Sequence, residues 1–583
     1  MRDETQSRLR RDSTHLPARY IGDDMQGKDA IIRLLEQAGV EIVFGLCGDT
    51  SLPYYEAFYD LKPKIKHILT RDERSAGYMA DAYARLSGRV GVCEGPSGGG
   101  ATYIIPGVAE ANQSSVPLVC LTSDIDSRHR GRGTLTEIDQ DALFAPVTVW
   151  TKTLASGTEL PRAFREAFRQ STTGRLGATH IGLPFNVQEE EIPDEEVHIN
   201  SRYSRYPANR VAPQIETIKS AARVLVDSSN PVIVAGAGVL RSEAWQELKS
   251  LVDLLKCPVA TSISGKGSIA ETDPYALGVI GSNGGLAYRH EVVNKADLIF
   301  YIGCSCGSVT TDKWTLPSGK DAAIIQMDVN PLTIGQNYQV AHAVVSDARL
   351  GLIAMAEAVA DLLGGKSADK LDPEVLPQLR KNYLATIEEF HSDAAPIRPE
   401  RFITELSAVM PEDGIIIADP GTPTPYISAY YRLPHAGRWF VTNRAHGALG
   451  YSLPASVGAH FARPDNKVVA VMGDGSFGFT SGELETINRL QIPVVLIVLA
   501  NSTYGWIKAG QKVMGGKYFS VDFSATDHSK IARAYNIEAQ RVEQPGDLKK
   551  ALEWAFSVKG PVLLDVVVQP LHESRAPVSK WVV

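Results

Sequence analysis

The residues best suited to chemistry follow two apolar segments in the last quarter of the chain. The segment 468–472 runs into Gly473-Asp474-Gly475-Ser476, and the segment 493–499 is followed by Asn501, 27 positions after Asp474. A Gly-Asp-Gly turn at a strand end presents backbone N–H groups and one carboxylate, which suit a diphosphate bridged by a metal ion. We therefore expect Asp474 and Asn501 to lie on adjacent strand ends.

The spacing also predicts which metal this site holds. The Asp474 carboxylate, the Asn501 amide oxygen and a backbone carbonyl near Thr503 would leave room for phosphate oxygens and a water in an octahedral shell, which favours Mg²⁺. A Gly-Asp-Gly turn alone could equally be an ordinary turn. The preceding strand, a helix expected from near Gly482 and the spaced Asn501 favour the metal site.

The segment GDGSFGFTSGELETINRLQIPVVLIVLANSTYG, residues 473–505, resembles the thiamine diphosphate-binding signature. From about residue 26 the whole chain resembles the acetolactate synthase-like group of thiamine diphosphate enzymes. The resemblance implies thiamine diphosphate and Mg²⁺ as cofactors, a first domain that binds the aminopyrimidine ring, a last domain that binds the diphosphate, and a structural or accessory-nucleotide domain between them. It implies cofactor contacts at Glu73, Gly421, Thr422, Gly447, Leu449, Gly473, Asp474, Gly475, Ser476, Asn501, Tyr504 and Gly505, with Leu449 holding the cofactor in a V shape.

The resemblance also implies a catalytic carboxylate in the first domain, and Glu73 occupies that position in Arg71-Asp72-Glu73-Arg74. It would hydrogen-bond the pyrimidine ring and thereby promote loss of the proton from thiazolium C2. This role requires a buried carboxylate with a raised pKa. The alternative is that Glu73 pairs with Arg71 or Arg74 on a solvated helix.

Four residues are candidates for substrate contacts. Asp49 stands where simple 2-oxo acid decarboxylases carry Asp and acetolactate synthases usually carry a small residue, and Thr136 stands where acetolactate synthases carry Gln. Ser97 lies in a Gly-rich segment that resembles a loop near the pyrimidine and substrate. His129 lies near where decarboxylases carry a His pair, although the surrounding Arg residues also fit a mobile loop or an anion contact.

The resemblance implies a carboligase acting on 2-oxo acids, with a 2-oxo acid decarboxylase or a 2-hydroxyacyl-CoA lyase or oxalyl-CoA decarboxylase as alternatives. It implies a homodimer or dimer of dimers with each site between two subunits. The flavin-contacting Arg pattern associated with acetolactate synthases is absent from Gly303-Cys-Ser-Cys-Gly-Ser308, so bound FAD is not expected. A nicotinamide dehydrogenase is disfavoured because no G-x-G-x-x-G fingerprint with its spaced acid is present. A subunit without catalysis is disfavoured because Glu73, Asp474 and Asn501 occur together.

These residues must be positioned by a regular scaffold. Apolar segments alternate with amphipathic stretches, which predicts α/β architecture with three doubly wound parallel-sheet domains at residues 26–194, 215–363 and 396–583, after a flexible extension at 1–25. The expected strands are 42–45, 89–93, 117–122 and 179–182, then 231–238, 297–303 and 323–328, then 415–418, 467–472, 493–499 and 561–568. The polar, Pro-bearing segment 195–214 is expected to be a linker.

Composition excludes several classes of function. The 583 residues carry a formal net charge of −8, which argues against a nucleic-acid or anionic-membrane partner. The most apolar run, 492–500, is too short to span a bilayer. Six cysteines in so long a chain, among them Cys47, are expected to be reduced core residues. A cytoplasmic, reducing environment is therefore expected, and the resemblance implies an enzyme with a small-molecule 2-oxo acid or hydroxyacyl substrate.

Overall fold

The described part of the chain, residues 24–319 and 322–581 of this computed structural model, contains three six-stranded parallel sheets flanked by helices. This architecture confirms the predicted α/β class with three doubly wound domains. The predicted extension 1–25 lies outside the described residues except for its last two positions, and the exact domain boundaries stay a prediction. No helix in the described ranges has the length and apolar character needed to cross a membrane.

The first sheet positions Glu73 at the edge where the carboxyl ends of its strands meet. Its strands are, in spatial order, Lys66–Leu69, Ile42–Gly45, Gly91–Gly95, Leu118–Asp124, Ala178–Pro184 and Trp150–Thr153. The helices on its two faces are Gly27–Gln37, Leu52–Leu61, Glu73–Ser87, Gly99–Tyr103, Ile105–Gln113, Gln140–Phe144, Leu160–Thr172 and Phe185–Glu189. Because the strands are parallel, their carboxyl ends meet at one edge, where the helix Glu73–Ser87 begins. A short antiparallel pair, Met25–Gln26 with Glu191–Ile192, closes the domain.

The central sheet has the same architecture. Its strands are, in spatial order, Ala276–Val279, Val259–Thr261, Pro231–Ala235, Leu298–Ile302, Ala323–Asp328 and His342–Val345. Its helices are Ile215–Asp227, Ala237–Arg241, Trp245–Leu255, Ala287–Asn294 and Ala348–Leu363, and the helix Val375–Leu384 leads towards the last domain. Apolar clusters cover both faces of the sheet, as expected when every strand is parallel.

The third sheet brings together the two strand ends that carry Asp474 and Asn501. Its strands are, in spatial order, Phe440–Thr442, Ile415–Ala418, Val468–Gly473, Val494–Ala500, Val562–Val567 and Glu538–Val542. Its helices are Pro399–Val409, Pro423–Tyr430, Ser452–Ala462, Asp474–Thr480, Leu484–Leu490, Gly505–Val513, His528–Ala534 and Pro545–Ser557. The strand Val468–Gly473 therefore lies next to Val494–Ala500 in parallel register, as the spacing predicts.

Each apolar segment that predicts a strand forms one, with ends that differ by at most three residues. The pattern misses Val259–Thr261 and the short pair Met25–Gln26 and Glu191–Ile192. It also misses both outermost strands of every six-stranded sheet, namely Lys66–Leu69, Trp150–Thr153, Ala276–Val279, His342–Val345, Phe440–Thr442 and Glu538–Val542. Five of the six cysteines are buried, as expected, but Cys47 is exposed. The prediction that Cys47 is a core residue is wrong, because it follows the buried strand Ile42–Gly45 in the loop at the sheet edge.

The first and third domains share one apolar core, built around two helices that pack closely. These are Glu73–Ser87, called the Glu73 helix, and Ser452–Ala462, called the Ser452 helix. The rings of Tyr78 and Tyr451 meet edge-on with centroids 5.2 Å apart, and the Tyr451 hydroxyl donates to the buried Asp81 at 2.5 Å. This packing fixes the position of the Glu73 helix relative to the third domain of the same chain.

We expect Gly458→Ala to destabilise the protein by about 2 kcal/mol, as overpacked cores do. A Cβ at Gly458 would lie 2.0 Å from the Met79 carbonyl oxygen, so the Ser452 helix would have to move away from the Glu73 helix. Urea unfolding measures the change. The control is Gly546→Ala, where an added Cβ meets nothing within 4 Å and the free energy of unfolding should stay unchanged or rise. Equal effects of the two substitutions would contradict this close approach.

Candidate active site

The turn after the strand Val468–Gly473 leads directly into a helix. A first helix runs from Asp474 to Thr480, and after a short turn the helix Leu484–Leu490 begins close to Gly482, as predicted. The first helix was not predicted; the Asp474 carboxylate accepts the Gly475 N–H at 2.9 Å and lies in its first turn, where a negative charge is favourable. An added Cβ at Gly473 would meet nothing within 4 Å, so bare backbone faces open space here.

Asp474 joins the two strand ends. Its second carboxylate oxygen accepts the N–H groups of Asn501 at 2.7 Å and Ser502 at 2.6 Å. The side chain is 6% exposed, and burial raises the pKa of its carboxyl, while the three backbone N–H groups act in the opposite direction. The loop that begins at Asn501 is therefore held to the Gly473-Asp474-Gly475 turn by a single carboxylate.

The oxygen atoms around Asp474 fit a divalent cation. The side-chain oxygen of Asn501 is buried and has no hydrogen-bond partner among the described residues, a costly state unless something occupies the space it faces. The Thr503 hydroxyl donates to the Val521 carbonyl at 2.9 Å, so its backbone carbonyl is the better candidate ligand. The described residues contain no group of three or more His, Cys, Asp or Glu that could hold a metal. A cation here would therefore need oxygen ligands from a bound molecule as well, and a diphosphate supplies them.

The other predicted cofactor residues border the same edge of the third sheet. Gly421, at φ +97°, and Gly447, at φ +76°, both present backbone to open space, and Thr422 is buried just before the helix Pro423–Tyr430. Ser476 is buried in the first turn after Asp474, and Leu449 is half-buried.

Tyr504 and Gly505 begin the segment after the Asn501 loop. The Tyr504 ring lies 2.8 Å from where a Cβ of Gly475 would be, and an added Cβ at Gly505 would touch Leu571 at 3.6 Å. The two residues therefore place the helix Gly505–Val513 beside the Asp474 turn.

Asp419 links the Gly421 loop to the Ser452 helix. It ends the strand Ile415–Ala418, is fully buried, and accepts the N–H groups of Tyr451 at 3.1 Å and Ser452 at 3.0 Å. Burial raises the pKa of this carboxyl to about 6, against hydrogen bonds that lower it. The sequence places Asp419 directly after a predicted strand, in the loop of Gly421 and Thr422, but assigned no role to its carboxylate.

We expect Asp419→Asn to flatten the dependence of stability on pH between about 4 and 6. Because the folded-state pKa lies above the ordinary value of 3.8, the folded protein binds this proton more tightly than the unfolded chain does. The contribution of Asp419 to the free energy of unfolding therefore falls as pH rises through this window and is constant above it. Urea unfolding of both proteins at several pH values measures the slope. Identical slopes in the two proteins would contradict the raised pKa.

Glu73 is buried at the start of its helix. It is 7% exposed, and burial, the largest cause, raises the pKa of its carboxyl. Arg74 pairs with Asp72 at 3.0 Å, and Glu73 forms no ion pair within the described residues, so the alternative of a solvated Glu–Arg pair is not observed. An added Cβ at Gly100 would lie 3.0 Å from the Glu73 carboxylate, so this glycine leaves room for it.

The first sheet also gathers four hydroxyl groups at its carboxyl edge. Ser97 Oγ lies 2.7 Å from Thr136 Oγ1 and 2.9 Å from Thr50 Oγ1, which lies 2.8 Å from Ser123 Oγ. Ser97 and Thr136 are predicted substrate residues, whereas Thr50 and Ser123 were missed. Serine and threonine are common at strand ends, so only their convergence in space distinguishes these two.

The other two predicted substrate residues do not join this group. Asp49 is exposed and its side chain accepts the N–H of Thr50 at 2.9 Å. His129 is exposed at the end of the short turn Ser127–His129. Both side chains face solvent in the single chain, and their predicted contacts with substrate stay predictions.

The central domain borders a cavity of about 450 Å³ that also reaches the first and third domains. Its walls include Gly236, Gly238, Arg241, Gly303, Asp328 and Arg444. Strand ends of the central sheet therefore enclose a volume of ligand size. The expectation that FAD does not bind stays a prediction.

Comparisons with known proteins agree with this geometry. Three family models match in order: the thiamine pyrophosphate enzyme N-terminal TPP binding domain at residues 25–143, the central domain at 218–355 and the C-terminal TPP binding domain at 419–566. Thiamine pyrophosphate is the same molecule as thiamine diphosphate. Glu73 lies in the first matched segment, and Asp474 and Asn501 lie in the last.

Curated relatives match over nearly the whole chain. A probable acetolactate synthase large subunit of Methanococcus aeolicus is 35% identical over 94% of this chain and 92% of its own length, and one of Methanocaldococcus jannaschii has the same identity and coverage. An acetolactate synthase of Mycobacterium bovis is 29% identical over 93% of this chain and 88% of its own. The chain therefore belongs to the thiamine diphosphate-dependent carboligases of the acetolactate synthase type.

Proposed function

We propose that this enzyme joins two 2-oxo acid molecules with loss of CO₂, using thiamine diphosphate and Mg²⁺. The observation that carries the proposal is the buried, unpartnered oxygen of Asn501 beside Asp474, at a turn with open backbone. The relatives named as acetolactate synthases support the 2-oxo acid substrate.

Residues of the third domain would hold the diphosphate end of the cofactor. Asp474, Asn501 and the Thr503 carbonyl would bind Mg²⁺, and the backbone around Gly473 and Gly475 would face the phosphates. When bound, thiamine diphosphate supplies the electron sink for breaking and forming a bond beside a carbonyl. The protein's part is to bind and orient it.

Glu73 would act at the other end of the cofactor. Its burial and raised pKa suit a carboxyl that shares a proton with a weakly basic ring nitrogen. Leu449 is half-buried on the loop before the Ser452 helix and would hold the cofactor in its V shape. Ser97 and Thr136 would contact the substrate, because they lie at the sheet edge that carries Glu73.

A second copy of the chain would complete each site. Large apolar side chains are exposed on the first domain at Leu52, Tyr103 and Leu135, and on the third domain at Ile507, Met514 and Phe519. Where exposed apolar residues lie together they mark association surfaces, and we infer that these residues face a second copy of the chain. We propose a homodimer, or a dimer of dimers, in which Glu73 of one subunit meets the third domain of the other.

A non-oxidative 2-oxo acid decarboxylase is the second candidate. It is favoured by Asp49, which lies at the carboxyl end of the strand Ile42–Gly45, and by Thr136 in place of Gln. Incubating the holoenzyme with a panel of 2-oxo acids and identifying products by mass spectrometry separates the two reactions. A condensed 2-hydroxy-3-oxo acid supports the carboligase, whereas release of the free aldehyde alone would establish the decarboxylase and refute our proposal.

A further inference from the structure

The loop that carries Gly447 and Leu449 is held by a carboxylate of another domain. This loop, residues 443–451, connects the strand Phe440–Thr442 to the Ser452 helix. Three successive backbone N–H groups near its start point at Glu110, with distances of 3.2 Å from Arg444, 3.2 Å from Ala445 and 2.8 Å from His446. Glu110 lies in the helix Ile105–Gln113 of the first domain.

Glu110 accepts hydrogen bonds from several groups. Its side chain is fully buried and also accepts from Arg85 at 3.0 Å and from the Ser114 hydroxyl at 2.7 Å. Successive backbone N–H groups form a concavity suited to an anion. The backbone N–H groups and the Arg85 guanidinium that face Glu110 can only donate, so an uncharged amide in its place would set its own N–H₂ against some of them; of the named partners, only the Ser114 hydroxyl could accept.

The remainder of the loop has few other constraints. Residues 445–447 are exposed, and an added Cβ at Gly447 would meet nothing within 4 Å. Asn443 donates to the Ala448 carbonyl at 2.5 Å, and Asp419 holds the far end of the loop at Tyr451. The Thr480 hydroxyl also donates to the Gly450 carbonyl at 3.0 Å, and the Tyr451 hydroxyl donates to Asp81 of the first domain at 2.5 Å. Glu110 is therefore the first-domain group that holds the start of the loop.

We propose that Glu110 is a positioning residue that fixes the loop 443–451, called the Leu449 loop, so that Leu449 can orient the bound cofactor. This inference rests on the proposed function, which gives Leu449 its role and places each site between subunits. It follows that one first domain serves two active sites. Its Glu73 completes the site on the partner's third domain, while its Glu110 orders the loop of the site on its own third domain.

Hydrogen exchange of the full chain without cofactor tests the anchor directly. In Glu110→Gln we expect backbone amides of residues 444–446 to exchange at least about tenfold faster, because each hydrogen bond to the carboxylate protects one amide. The matched control is Glu271→Gln, which removes a buried carboxylate that accepts the Leu433 N–H at 2.9 Å across another domain boundary. It should leave exchange in 444–446 unchanged. Unchanged exchange in Glu110→Gln, or equal acceleration in both variants, would overturn the inference.

Catalysis and cofactor affinity provide a second measurement. We expect Glu110→Gln to lower kcat at least about tenfold, equivalent to about 1.4 kcal/mol, while the Kd for thiamine diphosphate with Mg²⁺ changes less than about threefold. A loss of cofactor binding that matches the loss of kcat would show a merely structural role and overturn the inference. If Glu110→Gln does not fold, Glu110→Asp keeps the charge beside Arg85 but has a shorter reach, so it should accelerate exchange at His446. Normal exchange in that variant would overturn the inference equally.

Mixed dimers test whether one first domain serves two sites. A dimer of one Glu73→Gln subunit and one Glu110→Gln subunit, purified through two different tags, would carry both defects in one site and none in the other. We expect about half the wild-type activity, far above either variant homodimer. If activity is not recovered, the site between subunits and the assignment of one first domain to two sites are refuted. The role of Glu110 in holding the loop is still supported in that case, provided that Glu110→Gln shows faster exchange in the loop and a reduced kcat. Normal loop exchange refutes the anchor whatever the mixed dimer does.

Discussion

Replacing Glu73 by Gln is expected to lower kcat by a factor of about 10² to 10⁴, the usual contribution of a positioned acid or base. Gln has nearly the same shape and fits the space left by Gly100, so packing should survive. It cannot share a proton with the pyrimidine ring, because its amide does not ionise. Loss of the proton from thiazolium C2 should slow accordingly.

Exchange of the C2 proton for deuterium, followed by NMR after acid quench, measures this step separately from product formation. Calorimetry should show an affinity for thiamine diphosphate within about twofold of the wild type, since the metal and phosphate contacts lie elsewhere. The control is Glu56→Gln, an exposed glutamate in the same domain, which should leave both quantities unchanged. Wild-type exchange and turnover in Glu73→Gln would remove Glu73 from the mechanism.

Asp474→Ala is expected to weaken Mg²⁺-dependent binding of thiamine diphosphate by at least about 100-fold, more than the loss of an outer-shell group costs. The substitution removes one proposed metal ligand. It also removes the acceptor that fixes the N–H groups of Asn501 and Ser502, so the second proposed ligand loses its position. Cofactor and metal should then no longer raise the melting temperature.

Calorimetric titration and thermal melting with and without the cofactor and Mg²⁺ measure both effects. The control is Asp547→Ala, because Asp547 also lies in the first turn of a helix in the third domain but is exposed and follows the outermost strand, Glu538–Val542. It should bind the cofactor normally. Tight binding by Asp474→Ala would contradict the metal site and would assign the unpartnered Asn501 oxygen another role.

The strands show which elements can be predicted from the local sequence pattern and which cannot. Interior strands such as Val494–Ala500 are buried along their whole length and appear as continuous apolar runs, which a sequence reveals directly. Lys66–Leu69 has a neighbour on one side only and just one buried residue, Ile68, so its pattern is nearly that of a loop. Phe440–Thr442 is buried but spans only three residues, too few to show a period.

Local pattern also indicated the Gly473-Asp474-Gly475 turn, whereas the burial expected of Glu73 followed from the resemblance to thiamine diphosphate enzymes. The proposed ligands Asp474 and Asn501 follow successive apolar strands, and parallel strands that adjoin bring their ends together without help from distant segments. The sequence alone was therefore sufficient for the fold class and for placing Asp474 and Asn501 at one edge of the third sheet.

Only the tertiary structure decided the contacts between distant segments. Thr50, Ser97, Ser123 and Thr136 meet because three strand ends converge, and Glu110 reaches the Leu449 loop across more than 300 residues of chain. A hydrogen bond requires its donor and acceptor to lie about 3 Å apart in space, whatever their separation along the chain. Such partners can therefore be identified only from the tertiary structure, in which the first and third domains share a core.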